Sequence, residues 1–185
     1  MTPPEPPRAE SPHPEPSHTE LPHPVSLAQI GAPGMAREVV ATAAECAAIA
    51  ARLLIPAVGA LSCRFQLTPA QGGMVVAQGT LLARVTQICV VTLEPFEADL
   101  HEDFRIRFVP ADEIGDPEDD LLELDADDEV PYHGIHIDLG EAAVEQLALA
   151  LDPYPRIPGA ELPAVDDPDA AVSPFAALAR RARQG

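Results

Sequence analysis

The feature that most constrains the fold of this chain is a series of runs in which apolar and polar residues alternate. In Leu61–Leu67 four apolar residues occupy every second position with three polar residues between them, as expected of a half-buried strand. Met74–Leu93 is a longer β-rich stretch with room for two strands and a bend at Gly79, and Phe104–Phe108 alternates again. Because only short turns separate these runs, we expect the strands to pair antiparallel as a meander.

Two amphipathic helices accompany the strands. Thr42 followed by Glu45 is the pattern of a capping box, in which side chains and backbone groups satisfy each other at a helix N-terminus. Asp138 followed by Glu141 predicts a second helix start. The predicted apolar faces are Cys46, Ala47, Ala50, Leu53 and Leu54, and Val144, Leu147, Ala148 and Leu151. Shorter strands are predicted at Arg37–Ala41 and Tyr132–Ile137. The fold class is therefore α+β, an antiparallel β-meander sheet packed with two main helices.

Composition divides the chain into one folded domain with polar extensions. Residues 1–24 hold nine prolines, which remove backbone donors and favour extended, solvated chain, so we expect a disordered N-terminal tail. We place the single α+β domain at 25–160, followed at 161–185 by a Pro-rich segment and a short C-terminal helix. Within the domain, 111–130 is expected to be a mobile acidic loop, because its crowded carboxylates repel one another.

The net charge of −19 is concentrated rather than uniform. The chain has 30 acidic residues against 11 arginines and no lysine, and 11 of the acids lie between Asp112 and Glu129. This balance has the wrong sign for a protein that grips nucleic-acid phosphates by charge alone. No apolar run is long enough for a membrane span. The acidic segment therefore faces either water or a basic partner.

The residue types that most often carry catalysis or bind metals are not arranged for either. The three cysteines, Cys46, Cys63 and Cys89, show no two-residue gap and are expected to be small buried hydrophobes. His133 and His136 would point to opposite faces of a strand. The chain also lacks a glycine-rich phosphate loop and a nucleophile elbow. We therefore expect no enzyme activity, no metal site and no cofactor.

The run Gly79–Phe96 resembles the central segment of the YceD family, also called the large ribosomal RNA subunit accumulation proteins. Members typically show a strand that leads into a cysteine, often with a second cysteine three residues later. Cys89 matches the first position and Thr92 stands at the second, so the two-cysteine form is not present. Later segments in the same order as in family members are Ile137–Glu141, Glu145–Leu151, Asp152–Arg156, Pro158–Ala160 and Pro174–Leu178. The resemblance covers roughly residues 37–180.

The resemblance implies a cytoplasmic, non-enzymatic factor that supports accumulation of large-subunit ribosomal RNA. It also implies a setting, since genes of the family often lie beside the gene of a small basic protein of the large ribosomal subunit. A basic partner fits the acidic composition, because complementary potentials speed encounter and suppress wrong pairings. We therefore predict binding to a basic large-subunit ribosomal protein or a pre-50S particle, with rRNA as a further partner, and to neither a membrane nor a small-molecule substrate.

Two other functions stay open on the residues alone. One is direct rRNA binding by an arginine-bearing sheet face, since Arg105 and Arg107 share one face of a strand. Arg64 and Arg84 would join them if the register places them adjacent. The other is a metal or redox function centred on Cys89. The candidate interaction residues are Arg84, Gln87, Cys89, Arg105, Arg107, Pro155, Arg156, Pro174, Phe175 and Leu178.

Overall fold

The computed structural model describes residues 19–113 and 128–161, and these residues form seven strands and two helices. The strands are β1 (Pro24–Ser26), β2 (Met35–Val40), β3 (Ala57–Pro69), β4 (Val75–Ile88), β5 (Pro95–Pro110), β6 (Asp128–Tyr132) and β7 (His136–Asp138). The helices are α1 (Ala43–Arg52) and α2 (Leu139–Ala150). Short 3-10 turns lie at Leu27–Gln29, Gln71–Gly73 and Ala111–Glu113.

Five of these strands form the main sheet, in the order β2–β3–β4–β5–β6. Strands β2 to β5 pair antiparallel with their neighbours in sequence, which confirms the predicted meander. Strand β6 instead pairs parallel to β5, and β1 and β7 form a separate antiparallel pair. The fold class is α+β as predicted, and residues of both helices share one core with the buried face of the sheet.

The alternation in the sequence correctly identifies that buried face. All four apolar residues of Leu61–Leu67 are buried, and in β4 the alternating residues Leu81, Ala83 and Val85 are buried as well. Burial of a large apolar side chain contributes about 1.5–3 kcal/mol, so these rows supply much of the cohesion of the sheet. The β-rich stretch predicted to reach Leu93 ends as a strand at Ile88, and Leu93 is exposed in the turn that follows.

Strand β4 is one continuous strand, not two strands with a bend at Gly79 as predicted. Its pairing with β3 and β5 runs without interruption through Gly79, and the register shift lies instead at Val58/Ala60 in β3. Gly79 is required for a different reason, because the ring of Phe104 on β5 occupies the space that a Cβ atom would need. The same ring packs edge-to-face on Phe65, with ring centroids 5.7 Å apart.

The predicted acidic loop at 111–130 is shorter at both ends than its composition suggests. Ala111–Glu113 is a 3-10 turn, and β6 already begins at Asp128 because it can pair with β5. The single strand predicted at Tyr132–Ile137 is two short strands on either side of a turn at Gly134, whose φ is 72°. The central part of the acidic segment, residues 114–127, lies outside the described residues.

The folded part begins before the predicted Val25. Leu21 is completely buried, and its carbonyl lies against the backbone of Gly140 at the start of α2, where a side chain would collide with it. Arg52 at the end of α1 forms ion pairs with Glu20 at 2.8 Å and with Glu141 at 2.5 Å. These contacts fix the segment from residue 19 onward on the two helices, whereas residues 1–18 lie outside the described part.

Both predicted helix starts are confirmed. Thr42 and Glu45 form the complete capping box of α1, and Asp138 accepts hydrogen bonds from two backbone N–H groups at the start of α2. The predicted face of α1 is partly wrong, because its buried residues are Cys46, Ile49 and Ala50, whereas Ala47 and Leu54 are exposed. In α2, Val144 and Leu147 are buried as predicted, and Ala148 is exposed.

Candidate functional site

The four arginines of the predicted sheet face do lie on the face that points away from the core. Arg64 is on β3, Arg84 on β4, and Arg105 and Arg107 on β5, each next to a residue whose side chain points into the core or towards it. The register decides whether they form a patch. Arg64 lies opposite Thr80, four residues along β4 from Arg84, so the register does not place these two arginines adjacent.

The register instead pairs most of these arginines with carboxylates. Arg64 Nε lies 3.0 Å from Glu38 Oε1, and Arg84 Nε lies 3.0 Å from Asp99 Oδ1. Each carboxylate stands directly opposite its arginine on the neighbouring strand. Arg107 Nη2 lies 2.9 Å from an oxygen of Glu129, the residue opposite it on β6. The face is therefore close to balanced in charge and offers little local attraction for a phosphate backbone.

A groove of about 900 Å³ crosses four strands on this face. Its charged lining residues are Arg37, Glu38, Arg64, Asp103 and Arg105, with Gln66, Gln78 and Thr80 between them. The three guanidinium groups and two carboxylates nearly cancel, and Asp103 also accepts a 2.7 Å hydrogen bond from the hydroxyl of Thr80. The groove thus has a mixed lining, with Phe65 and Phe104 beside these polar groups, and its charges leave no strong preference for either sign.

A second group of predicted residues meets at the end of β4. The turn Cys89–Glu94 packs against the segment that follows α2, and we call this contact the junction. The Val90 N–H donates to the carbonyl of Pro155 at 2.9 Å, and Gln87 Nε2 donates to the carbonyl of Asp152 at 3.1 Å. The structure therefore brings together Gln87, Cys89 and Pro155, which are far apart in sequence, with the exposed Arg156 beside them.

The thiol of Cys89 is the centre of the junction. It has no exposed surface, and its sulfur accepts hydrogen bonds from the backbone N–H groups of Ile157 at 3.4 Å and Thr92 at 3.5 Å. Burial raises the pKa of Cys89, but these bonds and one from the Thr92 side chain outweigh it and lower the pKa from 9.0 to about 7. Hydrogen bonds to the thiolate thus stabilise a partly ionised sulfur at neutral pH.

The other two cysteines behave differently. Cys46 and Cys63 are buried free thiols, as predicted, and burial raises the pKa of both, to about 12 for Cys63. Sequence reasoning predicted the same role for Cys89 and missed its hydrogen bonds. The only sequence signal for these bonds was the turn that follows the strand. In the structure, Leu93 in this turn adopts a φ of 62°, and the backbone N–H of Thr92 comes within reach of the sulfur. Within the described residues no group of His, Cys, Asp or Glu is arranged to hold a metal.

The junction is rimmed by exposed apolar side chains that the sequence patterns did not single out. Val90 and Leu93 project from the turn, Ile88 precedes it, and Tyr154 lies next to Pro155, which accepts the hydrogen bond from Val90. The predicted residues Pro174, Phe175 and Leu178 lie outside the described residues. His133 and His136 are both exposed, and only His136 lies in a strand.

One of three comparisons with known proteins finds a match, and it covers the region that contains the junction. A family model described as "Large ribosomal RNA subunit accumulation protein YceD" matches residues 77–180. The match begins in β4 and includes the junction, β5 and α2, but not Arg64 or Glu38, so it is shorter than the resemblance predicted from residue 37. No curated protein and no solved structure matches the chain. Neither of the two described helices is long and apolar enough to cross a membrane.

Proposed function

Because the chain belongs to the YceD family, we propose that it is an accessory factor of ribosome biogenesis that supports synthesis, processing or accumulation of 23S rRNA. The family is named for the accumulation of large ribosomal subunit RNA, and membership implies involvement in that process. The proposal adds that the chain acts in the cytoplasm as a binding protein rather than as an enzyme. Its direct partner is a basic large-subunit ribosomal protein or a pre-50S particle.

The observation that carries this proposal is the family match over more than half of the chain. The acidic composition supports a basic protein partner, because a net charge of −19 attracts a cationic surface and repels a phosphate backbone. The ion pairs on the sheet face support the same choice. Arg64, Arg84 and Arg107 each have a carboxylate within 3.0 Å, so rRNA phosphates would have to displace internal partners.

The proposal is tested by recovering a tagged full-length chain from cells at low and at high salt. We expect large-subunit precursors or a basic large-subunit ribosomal protein to be recovered at low salt and to be lost as the salt rises, because charge pairing is screened. The matched control is the same tag on an unrelated protein of similar net charge. If neither partner is recovered at low salt, the proposed partner is wrong.

One double variant distinguishes direct binding of rRNA from binding of a protein partner. Arg105→Glu with Arg107→Glu reverses the two cations that share a face of β5. If the chain binds rRNA through this face, the double variant loses RNA binding and its dependence on salt. If the protein partner is the direct contact, RNA binding by the purified chain is weak before and after the change.

A metal or redox function centred on Cys89 is the remaining alternative, and the lowered pKa of that thiol is the observation that favours it. Elemental analysis of the purified full chain tests its metal form. Stoichiometric zinc or iron that disappears in Cys89→Ala would support that form. A metal content equal in the two proteins would remove it.

A further inference from the structure

Along most of one side of strand β5, no described strand pairs with it. Strand β6 pairs with β5 only along Ile106–Pro110, whereas β4 pairs with it along Pro95–Phe108. The eleven residues Pro95–Arg105 therefore form an open edge within the described part of the chain. About every second residue of an antiparallel edge strand points its backbone N–H and C=O groups away from the sheet. Such an edge is a template for pairing with another strand.

The side chains at this open edge are strongly acidic. Between Glu94 and Asp103 the sequence has five carboxylates and no arginine. Asp99 pairs with Arg84, and Asp103 accepts the hydrogen bond of Thr80. The other three, Glu94, Glu97 and Glu102, are exposed and form no salt bridge with any described residue.

The carboxylates flank the edge on both faces of the sheet. Glu97 lies opposite Thr86 on the outward face, and Glu102 lies opposite the buried Leu81 on the other face. Glu102 stays exposed at this position, so the core does not cover it. A strand added beside β5 would therefore have carboxylates next to its side chains on both faces of the sheet.

We propose that the open edge Pro95–Arg105 binds an extended basic segment of a protein partner by strand addition. Main-chain hydrogen bonds to the edge would supply the pairing, and lysine or arginine side chains of the segment would lie beside Glu97, Asp99 and Glu102. This inference rests on the proposed function, since it names the surface on which the basic partner binds and the conformation that it adopts there.

Charge argues against three other occupants of this edge. A second copy would bring the same carboxylates opposite one another, and like charges across a strand pair are destabilising. The chain's own segment 114–127 has seven carboxylates and no basic residue, so it would meet the edge with like charge. An RNA strand brings phosphates to the same place and is repelled as well.

The opposite edge of the sheet offers a comparison. Strand β2 is also an edge strand among the described residues, but it is only six residues long. It carries one cation, Arg37, and one anion, Glu38, and the latter is paired with Arg64. That edge has neither the length nor the excess of carboxylates that a basic segment would recognise.

Peptide binding to the full chain tests the proposal directly. The probe is a peptide of about eleven residues in which pairs of lysines alternate with pairs of valines, so that lysines lie on both faces of an extended strand. The matched control peptide carries N-methyl groups on alternate amides, which removes edge hydrogen bonds and keeps every charge. We expect the N-methylated peptide to bind at least about tenfold more weakly, because only the unmodified backbone can pair with β5. Equal binding of the two peptides would overturn the proposal in favour of charge attraction alone.

Two double variants locate the binding surface. E97K/E102K reverses two carboxylates at the edge, and E145K/E161K makes the same change in net charge on residues that do not belong to the sheet. We expect the edge variant to lose at least about tenfold in peptide affinity and the control variant to lose much less. If both variants lose equally, the interaction follows net charge and the edge is not the site.

The same variants separate this inference from the function on which it rests. If the wild-type chain recovers ribosomal precursors from cells and E97K/E102K recovers them equally well, strand addition at β5 is wrong and the proposed function stands. If the wild-type chain recovers none while the peptide still binds the edge in a manner that needs free amides, the surface is real and the proposed partner is wrong.

Discussion

The two halves of β5 have opposite surroundings. Along Ile106–Phe108 the strand pairs on both sides, and Ile106 and Phe108 are 1% exposed. Along Pro95–Arg105 it pairs only with β4 among the described residues, and none of its residues is fully buried. One strand therefore contributes to the core at one end and presents a polar, acidic edge at the other. Cohesion and the proposed binding surface are separated along its length rather than between its two faces.

The distribution of ion pairs follows the same division. In the paired half, Arg107 lies 2.9 Å from Glu129, and the two side chains are 33% and 46% exposed. In the open half, the Arg84–Asp99 pair is at 3.0 Å with side chains 59% and 77% exposed. Water screens the second pair more strongly, so Asp99 remains accessible to a cation from a partner.

The largest expected difference between the halves is in stability. Phe108→Ala removes a ring from the core and should lower the free energy of unfolding by about 3–5 kcal/mol. Phe96→Ala, in the open half, removes the same ring from a half-buried position and should cost less than half of that. Urea unfolding of both variants gives the two values. Equal losses would mean that the open half belongs to the core as fully as the paired half.

The next largest expected difference between the two halves of β5 is in the rate of amide hydrogen exchange. We expect amides of Ile106–Val109 to exchange at least about a hundredfold more slowly than those amides of Phe96–Arg105 that point away from β4, since the latter open to solvent without breaking the sheet. Exchange followed residue by residue by NMR measures both sets. Addition of the lysine–valine peptide should slow only the second set. Uniformly slow exchange before addition would show that the edge is already paired.

The junction that leads into the open half should make stability depend on pH. The pKa of Cys89 is about 7 in the folded chain and 9.0 for an ordinary thiol, so between these values the unfolded state binds more protons. The stability of the wild-type chain relative to Cys89→Ala should therefore rise from pH 7 to pH 9 and be lost as the pH falls through 7. Cys63→Ala, at a thiol whose pKa is raised, is the control and should show no such rise in this range. A constant difference for Cys89→Ala would mean that the thiolate is not stabilised.

The smallest expected effect is in the ion pairs. A double-mutant cycle on Arg84 and Asp99 should give a coupling energy below about 0.5 kcal/mol, because both side chains are exposed. The same cycle on the less exposed pair Arg107 and Glu129 should give a larger value. A reversed order would mean that Asp99 is held firmly by Arg84 and is less available to a partner.

Local patterns in the sequence predicted the parts of this fold that local physics determines. Alternation identified the buried face of β3 and β4, and the pairs Thr42–Glu45 and Asp138–Glu141 follow from rules that act within one helical turn. The features that the sequence did not predict have non-local causes. Leu21 is buried because it meets the start of α2, and β6 begins inside the acidic segment because β5 lies beside it.

The candidate site also has some features that the sequence predicted and others that depend on non-local contacts. Gln87, Cys89 and Pro155 were chosen by family resemblance, and their contact depends on the segment after α2 folding back on the turn after β4. The arginines were read correctly as outward-facing, but only the register shows that carboxylates stand opposite them. The open edge depends on strand order and on where β6 stops pairing, and neither can be read from one sequence.

The role that we propose for the acidic edge of β5 is to support accumulation of large-subunit rRNA through a basic partner. The most direct measurement is the ratio of large- to small-subunit rRNA in a strain that lacks the gene and carries one of three alleles. We expect the ratio to be restored by the wild-type chain and by E145K/E161K, and to stay low with E97K/E102K produced at the same level. Full restoration by E97K/E102K would contradict the account.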